Sequence, residues 1–366
     1  MMDYQLLRHL NAETKEERLS ALREAVKTAQ FPPMDQRMIN NHIHTTYSFS
    51  PYSPTAAVYA ARNEGLCTAG IVDHDSMGGA EEFVEAGKIV GLPTTVGVEM
   101  RVSYKETSLR DRRTNNPDQI GVSYMVLHGV PHKNIQRVQE FLAPYREKRN
   151  ARNRKMVEKI NEIYQKDGIT LDFEKDVLPL SMFHDGGGVT ERHLMLALAQ
   201  KISGKVETDY DSMLELYDLV GKLKKECIPQ VFIPATDECP TLQEMVAFAK
   251  EVDGILAYAY LGDVTQSVTG DKKAQTFEDA YLDELFEVIA TAGVKAVTYM
   301  PTRNTPQQLD RLRALCEQYG MLQISGEDIN SPRQSFVIEK MKDEQFSNLI
   351  ASTWQIIHHE NGGNEE

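Results

Sequence analysis

The chain has 366 residues, of which 41% are hydrophobic and 26% charged, a balance that excludes disorder as its main state. Its 54 acidic residues outnumber its 40 basic ones, and the net charge of −14 disfavours binding to nucleic acid through bulk charge. No apolar run approaches the ~18 residues of a membrane span, and the charged N-terminal segment is unlike a secretory signal, so we expect a cytoplasmic protein. The four cysteines are widely spaced and predict neither disulfides nor a thiolate zinc site.

Residues 1–35 predict an N-terminal helical extension, because leucines recur at helical spacing until Pro32 and Pro33. Seven short segments rich in β-forming residues follow, at residues 38–42, 68–72, 93–98, 122–127, 254–258, 294–299 and 322–325. Helical patterns separate most of them, which is typical of parallel strands joined by crossover helices. The sequence therefore predicts an α/β fold, with a seven-stranded β/α barrel over residues 36–132 and 236–350.

Residues 133–235 interrupt this alternation with helical patterns and little strand signal, which predicts a helical insertion. The first part, residues 133–166, holds ten Lys or Arg and four Glu. Two explanations are open: a solvated helix face, or a lid that attracts an anionic substrate. Residues 351–366 are interpreted as the end of a C-terminal helix and a disordered tail that begins near His358.

Histidines and carboxylates stand at the ends of five of the seven predicted strands. His42 and His44 are two residues apart on the first strand, so they share a face on which two imidazoles can chelate one ion. The other strand ends carry His74, Glu99, His128 and Asp328. Because the carboxyl ends of parallel barrel strands meet at one rim, the sequence predicts a metal cluster there.

In their order, these motifs resemble those of the PHP family, the polymerase and histidinol phosphatase superfamily of metal-dependent phosphoesterases. The matching elements are HxHT at residues 42–45, Pro54, Ala57, Ala61 and Gly65, the DHD element at 73–75 with Gly78 and Gly79, and GVE at 97–99. Residues 188–194 resemble, more loosely, an element of the insertion in small-molecule phosphoesterases. The resemblance covers about residues 38–130 and 250–335, and it implies a distorted seven-stranded barrel with up to three metal ions at its mouth.

The resemblance also implies ligands for each metal. The four ligands of the first metal are present as His42, His44, Glu99 and Asp328. Two imidazoles and two carboxylates suit a divalent ion, for which the family implies Mn, Zn or Fe. The first site is therefore predicted to be intact.

The other two metal sites depart from the family pattern. The second would use His128, but Tyr258 stands where the family has a histidine, and a phenol is a reluctant ligand. For the third, His74 is present, whereas Phe49 and Asn330 occupy the two remaining ligand positions. Phenylalanine donates nothing and an amide oxygen is a weak ligand for these metals. We therefore expect one complete site, one incomplete site and one lost site.

The function that the resemblance implies is hydrolysis of a phosphate ester by metal-activated hydroxide, with His74 protonating the leaving group. The anionic substrate needs cationic contacts, for which Arg101, Arg192 and His193 are the nearest candidates. The expected substrate is a small phosphorylated metabolite or nucleotide.

Three other functions stay open. The first is a barrel that has lost hydrolysis and kept one ion for binding or structure, since three expected ligands are replaced. Nucleic-acid processing is favoured by the basic segment alone and opposed by the net charge. Hydrolysis of C–N bonds is the third, because metal hydroxide also attacks carbonyl carbon.

Overall fold

The computed structural model describes residues 4–206, 210–264 and 275–362. Seven strands form one sheet in which neighbours along the chain are neighbours in space. They are β1 (Asp35–Ile43), β2 (Leu66–His74), β3 (Thr94–Ser103), β4 (Val122–His128), β5 (Ile255–Tyr260), β6 (Ala296–Tyr299) and β7 (Leu322–Ser325). A parallel bridge between Ile43 and Ile329 brings the two edges together. The predicted seven-stranded β/α barrel is thus confirmed, and it is nearly closed.

Helices surround the barrel and fill the interval between β4 and β5. They are α1 (Tyr4–Leu10), α2 (Lys15–Val26), α3 (Pro54–Asn63), α4 (Ala80–Val90), α5 (Ile135–Tyr164), α6 (Glu191–Ser203), α7 (Tyr210–Glu226), α8 (Ile228–Val231), α9 (Leu242–Glu251), α10 (Leu282–Ala292), α11 (Pro306–Tyr319) and α12 (Ser347–Glu360). Threonines cap several of them; Thr241 and Thr305, for example, form capping boxes at α9 and α11. Among the described residues, no helix combines the length and the apolar character needed to cross a bilayer.

Strand β4 runs antiparallel to both β3 and β5, whereas the other neighbouring strands pair in parallel. The expectation of parallel strands was wrong at this position. A parallel pair needs a crossover across the sheet, and residues 104–121 contain only a short 3₁₀ turn at Ser108–Asp111. Consequently the carboxyl end of β4 lies at the rim opposite to the carboxyl ends of its neighbours.

The N-terminal and C-terminal helices pack on different parts of the barrel. Helix α2 joins α4 through a buried ion pair, in which Arg18 Nη2 lies 2.6 Å from Glu82 Oε2. Helix α12 packs against β1, β3 and β7, where Thr353 accepts a hydrogen bond from Asn41 at 2.7 Å. It continues to Glu360, beyond the predicted start of a disordered tail; residues 363–366 of that tail lie outside the described residues.

Candidate metal centre

Three predicted ligands, His42, His44 and Asp328, form one group of donor atoms at the mouth of the barrel, and the fourth, Glu99, contacts both histidines. The Nε2 atoms of His42 and His44 each lie 3.5 Å from Oε2 of Glu99. His44 Nε2 also lies 3.3 Å from Oδ1 of Asp328. Because His44 Nε2 is buried without a hydrogen-bond partner, a cation would satisfy it, and this donor set fits a divalent metal ion.

The histidines and carboxylates of this group perturb one another. Burial lowers the pKa of His42, but Glu99 outweighs it and raises that pKa above its ordinary value. Burial also disfavours ionisation of Asp328, yet His44 and His42 hold its pKa well below the usual range. Asp328 is therefore a carboxylate at neutral pH, which is the form that binds a cation.

His74 lies beside the four ligands. Its Nδ1 is 3.1 Å from Glu99 Oε2, and its ring stacks on that of His44 at 4.5 Å between centroids. Burial and the neighbouring His44 lower the pKa of His74 well below its ordinary value, which leaves the imidazole neutral. His44, His74 and Glu99 form a second group of donor atoms able to hold a metal ion.

A buried hydrogen-bond network orients His44. The Asp73 carboxylate accepts hydrogen bonds from the Thr45 backbone N–H and from Ser48 Oγ, both at 2.6 Å. Ser48 Oγ in turn lies 3.3 Å from Nδ1 of His44. With Nδ1 engaged there, Nε2 is the nitrogen that faces Glu99 and Asp328, as expected for a metal-binding histidine.

Gly326, which follows β7, allows close approach to the His42 backbone. A Cβ atom at position 326 would lie 2.5 Å from His42 Cβ and 3.0 Å from its backbone nitrogen. The first distance is shorter than real Cβ contacts and the second is unusually tight, so a side chain at position 326 must displace His42.

Gly326→Ala is accordingly expected to lower metal affinity about tenfold and the free energy of unfolding by about 1–3 kcal/mol. Metal titration and urea unfolding measure the two effects. Gly221→Ala is the control, because a Cβ atom at Gly221 of α7 meets no other atom within 4 Å. Unchanged metal affinity in Gly326→Ala would show that His42 tolerates the displacement.

The residues expected at the second metal site lie apart from these groups. His128 pairs with Ile255 near the opposite rim, where burial, assisted by His42, lowers its pKa to about 3. Tyr258 is fully buried, and burial together with Glu278 raises the pKa of its phenol well above the ordinary value. Within the described part of the chain, His128 belongs to neither of the two groups of metal-donor side chains.

Phe49 and Asn330 make other contacts. The Phe49 ring packs against His193 and Tyr217, both at 5.2 Å between centroids, and the Arg192 guanidinium lies 5.8 Å from its centre. The Asn330 amide donates a hydrogen bond to Asp328 Oδ1. Phe49 therefore builds an aromatic cluster, and Asn330 supports a ligand of the first site.

The three predicted substrate contacts have different environments. Arg101 is buried and forms an ion pair with Glu238. His193 is also buried, and its Nδ1 accepts a hydrogen bond from the Thr190 backbone at 3.0 Å, which caps α6. Arg192 is half-buried, and among the described residues it has no carboxylate partner. Of the three, Arg192 is the cation whose charge is not already neutralised.

A buried network of ion pairs joins the insertion to the barrel next to His74. In α5, Arg149 binds Glu191 at 2.6 Å and Arg152 Nε lies 3.0 Å from Glu238 Oε1. The remaining pairs of this network are Arg149–Asp75, Arg152–Glu191 and Arg101–Glu238. The basic segment is thus only partly a solvated face, because these arginines are buried against carboxylates.

Tyr124 is a residue of the centre that the sequence analysis missed. It lies on β4 directly opposite Arg101, and its ring centroid is 5.7 Å from that of His74. Two hydrogen bonds of 2.7 Å to Asn115 fix its backbone. No sequence motif includes Tyr124. The antiparallel pairing of β4 with β3 could have identified it, because that pairing places Tyr124 opposite Arg101.

Comparisons with known proteins agree with this fold. Two solved structures resemble the chain: a protein from Bifidobacterium adolescentis assigned as a metal-dependent phosphoesterase, and an amidohydrolase from Chromobacterium violaceum with bound sulfate and no metal. The first has a TM-score of 0.58 at 20% identity and covers 87% of this chain and 98% of its own. The second has a TM-score of 0.59 at 17% identity and covers 81% of this chain and 88% of its own.

Similarity to curated proteins is confined to shorter segments. An error-prone DNA polymerase of Mycobacterium bovis is 33% identical over 92 residues, which are 25% of this chain and 8% of the polymerase. A 5'-3' exoribonuclease of Haemophilus influenzae is 34% identical over 64 residues, or 18% of this chain and 23% of the enzyme. The match to the PHP domain itself extends over residues 40–294, well over half of the sequence. The barrel, the ligand cluster at its mouth and this match together show that the chain belongs to the PHP domain family.

Proposed function

We propose that this chain is a metal-dependent phosphoesterase that hydrolyses a small phosphorylated metabolite or nucleotide. The observation that carries the proposal is the grouping of His42, His44 and Asp328, with Glu99 in contact with both imidazoles and the His44 Nε2 atom buried without a hydrogen-bond partner. We propose Mn, Zn or Fe as the ion at this position.

A divalent ion bound there supplies Lewis acidity and a water molecule that ionises near neutral pH. The Asp73–Ser48 network holds the His44 ring in place for this purpose. Because the His74 imidazole is neutral, we propose that it takes the proton released by the attacking water and passes it on to the leaving oxygen. Because its Nδ1 faces Glu99, Nε2 is the atom available for this transfer.

Arg192 is proposed to bind the anionic group of the substrate. It lies near the centre, as its influence on the pKa of both His74 and Asp328 indicates. Carboxylates bind Arg101 and Arg149 and neutralise their charges. Arg192 has no carboxylate partner among the described residues, so its positive charge is available to a phosphoryl group.

Replacement of Arg192 tests the substrate role. Arg192→Gln is expected to raise KM for a phosphate monoester about tenfold or more, because a charge-assisted hydrogen bond contributes about 1.5–3 kcal/mol. Steady-state kinetics with p-nitrophenyl phosphate and nucleotides, after loading with Mn²⁺, Zn²⁺ or Fe²⁺, provide the measurement. Arg154→Gln is the matched control, since Arg154 is an exposed residue paired with Glu174. An unchanged KM in Arg192→Gln would contradict the assignment.

A second candidate is a barrel that binds one metal and has lost hydrolysis. It is favoured by the two residues that replace ligands of the third metal. Phe49 packs into an aromatic cluster, and the Asn330 amide donates a hydrogen bond to Asp328. The same purified protein distinguishes the two functions. One tightly bound ion per chain, together with no turnover of phosphate esters or amides, would favour the binding module.

A further inference from the structure

We infer that Tyr124 contacts the substrate, with its phenol donating a hydrogen bond to the anionic group that lies beside His74. The inference rests on the proposed function, since it concerns the same centre. It assigns a second substrate contact, on the barrel wall, in addition to Arg192 of the insertion.

The register of β3 and β4 directs Tyr124 toward the metal centre. Residues directly opposite each other in an antiparallel pair project to the same face, and Tyr124 is opposite Arg101. Arg101 is two residues from Glu99, so both project to the face that carries the ligands. The Tyr124 ring is accordingly found 5.7 Å from His74, whose ring stacks on His44.

Tyr124 also differs from Tyr104 and Tyr260 in its exposure and its contacts. Tyr104 and Tyr260 are buried, and their hydroxyls donate to Met125 Sδ and to Asp279 Oδ1, respectively. Tyr124 is half-buried, and within the described residues its phenol makes no hydrogen bond. A donor beside the centre is therefore available to a ligand.

The chemistry of the Tyr124 phenol, a hydrogen-bond donor, suits an anion as that ligand. Charges of both signs influence the phenol, because Arg101 and Arg149 lower its pKa while Glu191 and Asp118 raise it. Burial raises the pKa of Tyr124, so the phenol keeps its proton and acts as a donor. A neutral phenol donates to a phosphoryl oxygen more readily than it binds a metal ion.

The test compares Tyr124→Phe with Tyr145→Phe, a half-buried tyrosine of α5 that contacts Phe141 and Lys148. For each metal-loaded protein, metal content, affinity for inorganic phosphate and kcat/KM for a phosphate monoester are measured. Tyr124→Phe is expected to keep its metal, to bind phosphate about 10-fold to 100-fold more weakly and to lose kcat/KM by a similar factor. Tyr145→Phe should match the wild type.

The readouts separate this inference from the proposed function. Wild-type protein that binds phosphate without hydrolysing esters, with binding weakened in Tyr124→Phe, would support the contact and contradict the phosphoesterase. Wild-type hydrolysis and phosphate binding that Tyr124→Phe leaves unchanged would overturn the contact alone. Loss of metal from Tyr124→Phe would also overturn it, because the phenol would then be a ligand. A wild-type protein that neither binds phosphate nor hydrolyses any ester would overturn both.

Discussion

Asp328→Ala is expected to abolish stable metal binding, with affinity reduced by at least about 100-fold, and to remove any hydrolytic activity. Asp328 is the proposed ligand that follows the last strand, β7, and its Oδ1 lies 3.3 Å from His44 Nε2. Without it, His42, His44 and Glu99 carry only one negative charge between them, so a divalent ion is no longer balanced. Metal content per chain after dialysis, measured by elemental analysis, is the primary readout.

Asp310→Ala is the matched control for this experiment, because Asp310 is an exposed carboxylate on α11 that lies 3.9 Å from Arg313. It should retain the metal content and the activity of the wild type. If Asp328→Ala still bound one ion with wild-type affinity, Asp328 would not be a ligand, and the assignment of the first site would fail.

Glu191→Gln is expected to lower the free energy of unfolding by about 3 kcal/mol at pH 7, because it leaves buried guanidinium charge without its partner. Glu191 accepts from both Arg149 and Arg152, whose side chains are only 4% and 5% exposed. Urea unfolding followed by circular dichroism provides the measurement. Glu174→Gln, which removes the exposed partner of Arg154, should cost less than about 1 kcal/mol.

The same carboxylate predicts how stability depends on pH. Burial opposes ionisation of Glu191, but Arg149, Arg152 and Arg101 outweigh it and hold its pKa well below the ordinary value. A lowered folded-state pKa stabilises the protein above the unfolded-state pKa of ~4.3, and this contribution is lost as the pH falls through the folded value. The stability difference between wild type and Glu191→Gln should therefore shrink below about pH 4. A difference that is constant down to pH 2 would contradict this coupling.

Much of the fold could be predicted because its signals are local. Each predicted strand is present, since β-forming runs bounded by polar residues are read directly from the sequence. The direction of β4 was not predicted, because strand propensity contains no information about direction. The absence of a helical pattern in residues 104–121 was the available indication.

The site was predictable only where sequence spacing fixes geometry. His42 and His44 share a face because they are two residues apart on one strand, and the structure brings both to Glu99. His128 and Tyr258 were chosen by motif, whereas the register of β4 and β5 determines where they lie. The arginine network joins residues distant in sequence, so no local pattern could distinguish its buried arginines from solvated ones.

The reversed direction of β4 also constrains the insertion. Since β4 ends near the base of the barrel, α5 begins there, with Asn134 bound to Val252 just before β5. At about 1.5 Å per residue, the stretch from Ile135 to Arg149 rises roughly 20 Å before Arg149 meets Asp75. The number of residues in this part of α5 therefore determines where its arginines meet their carboxylates. A one-residue deletion would rotate the arginines by about 100° away from those carboxylates.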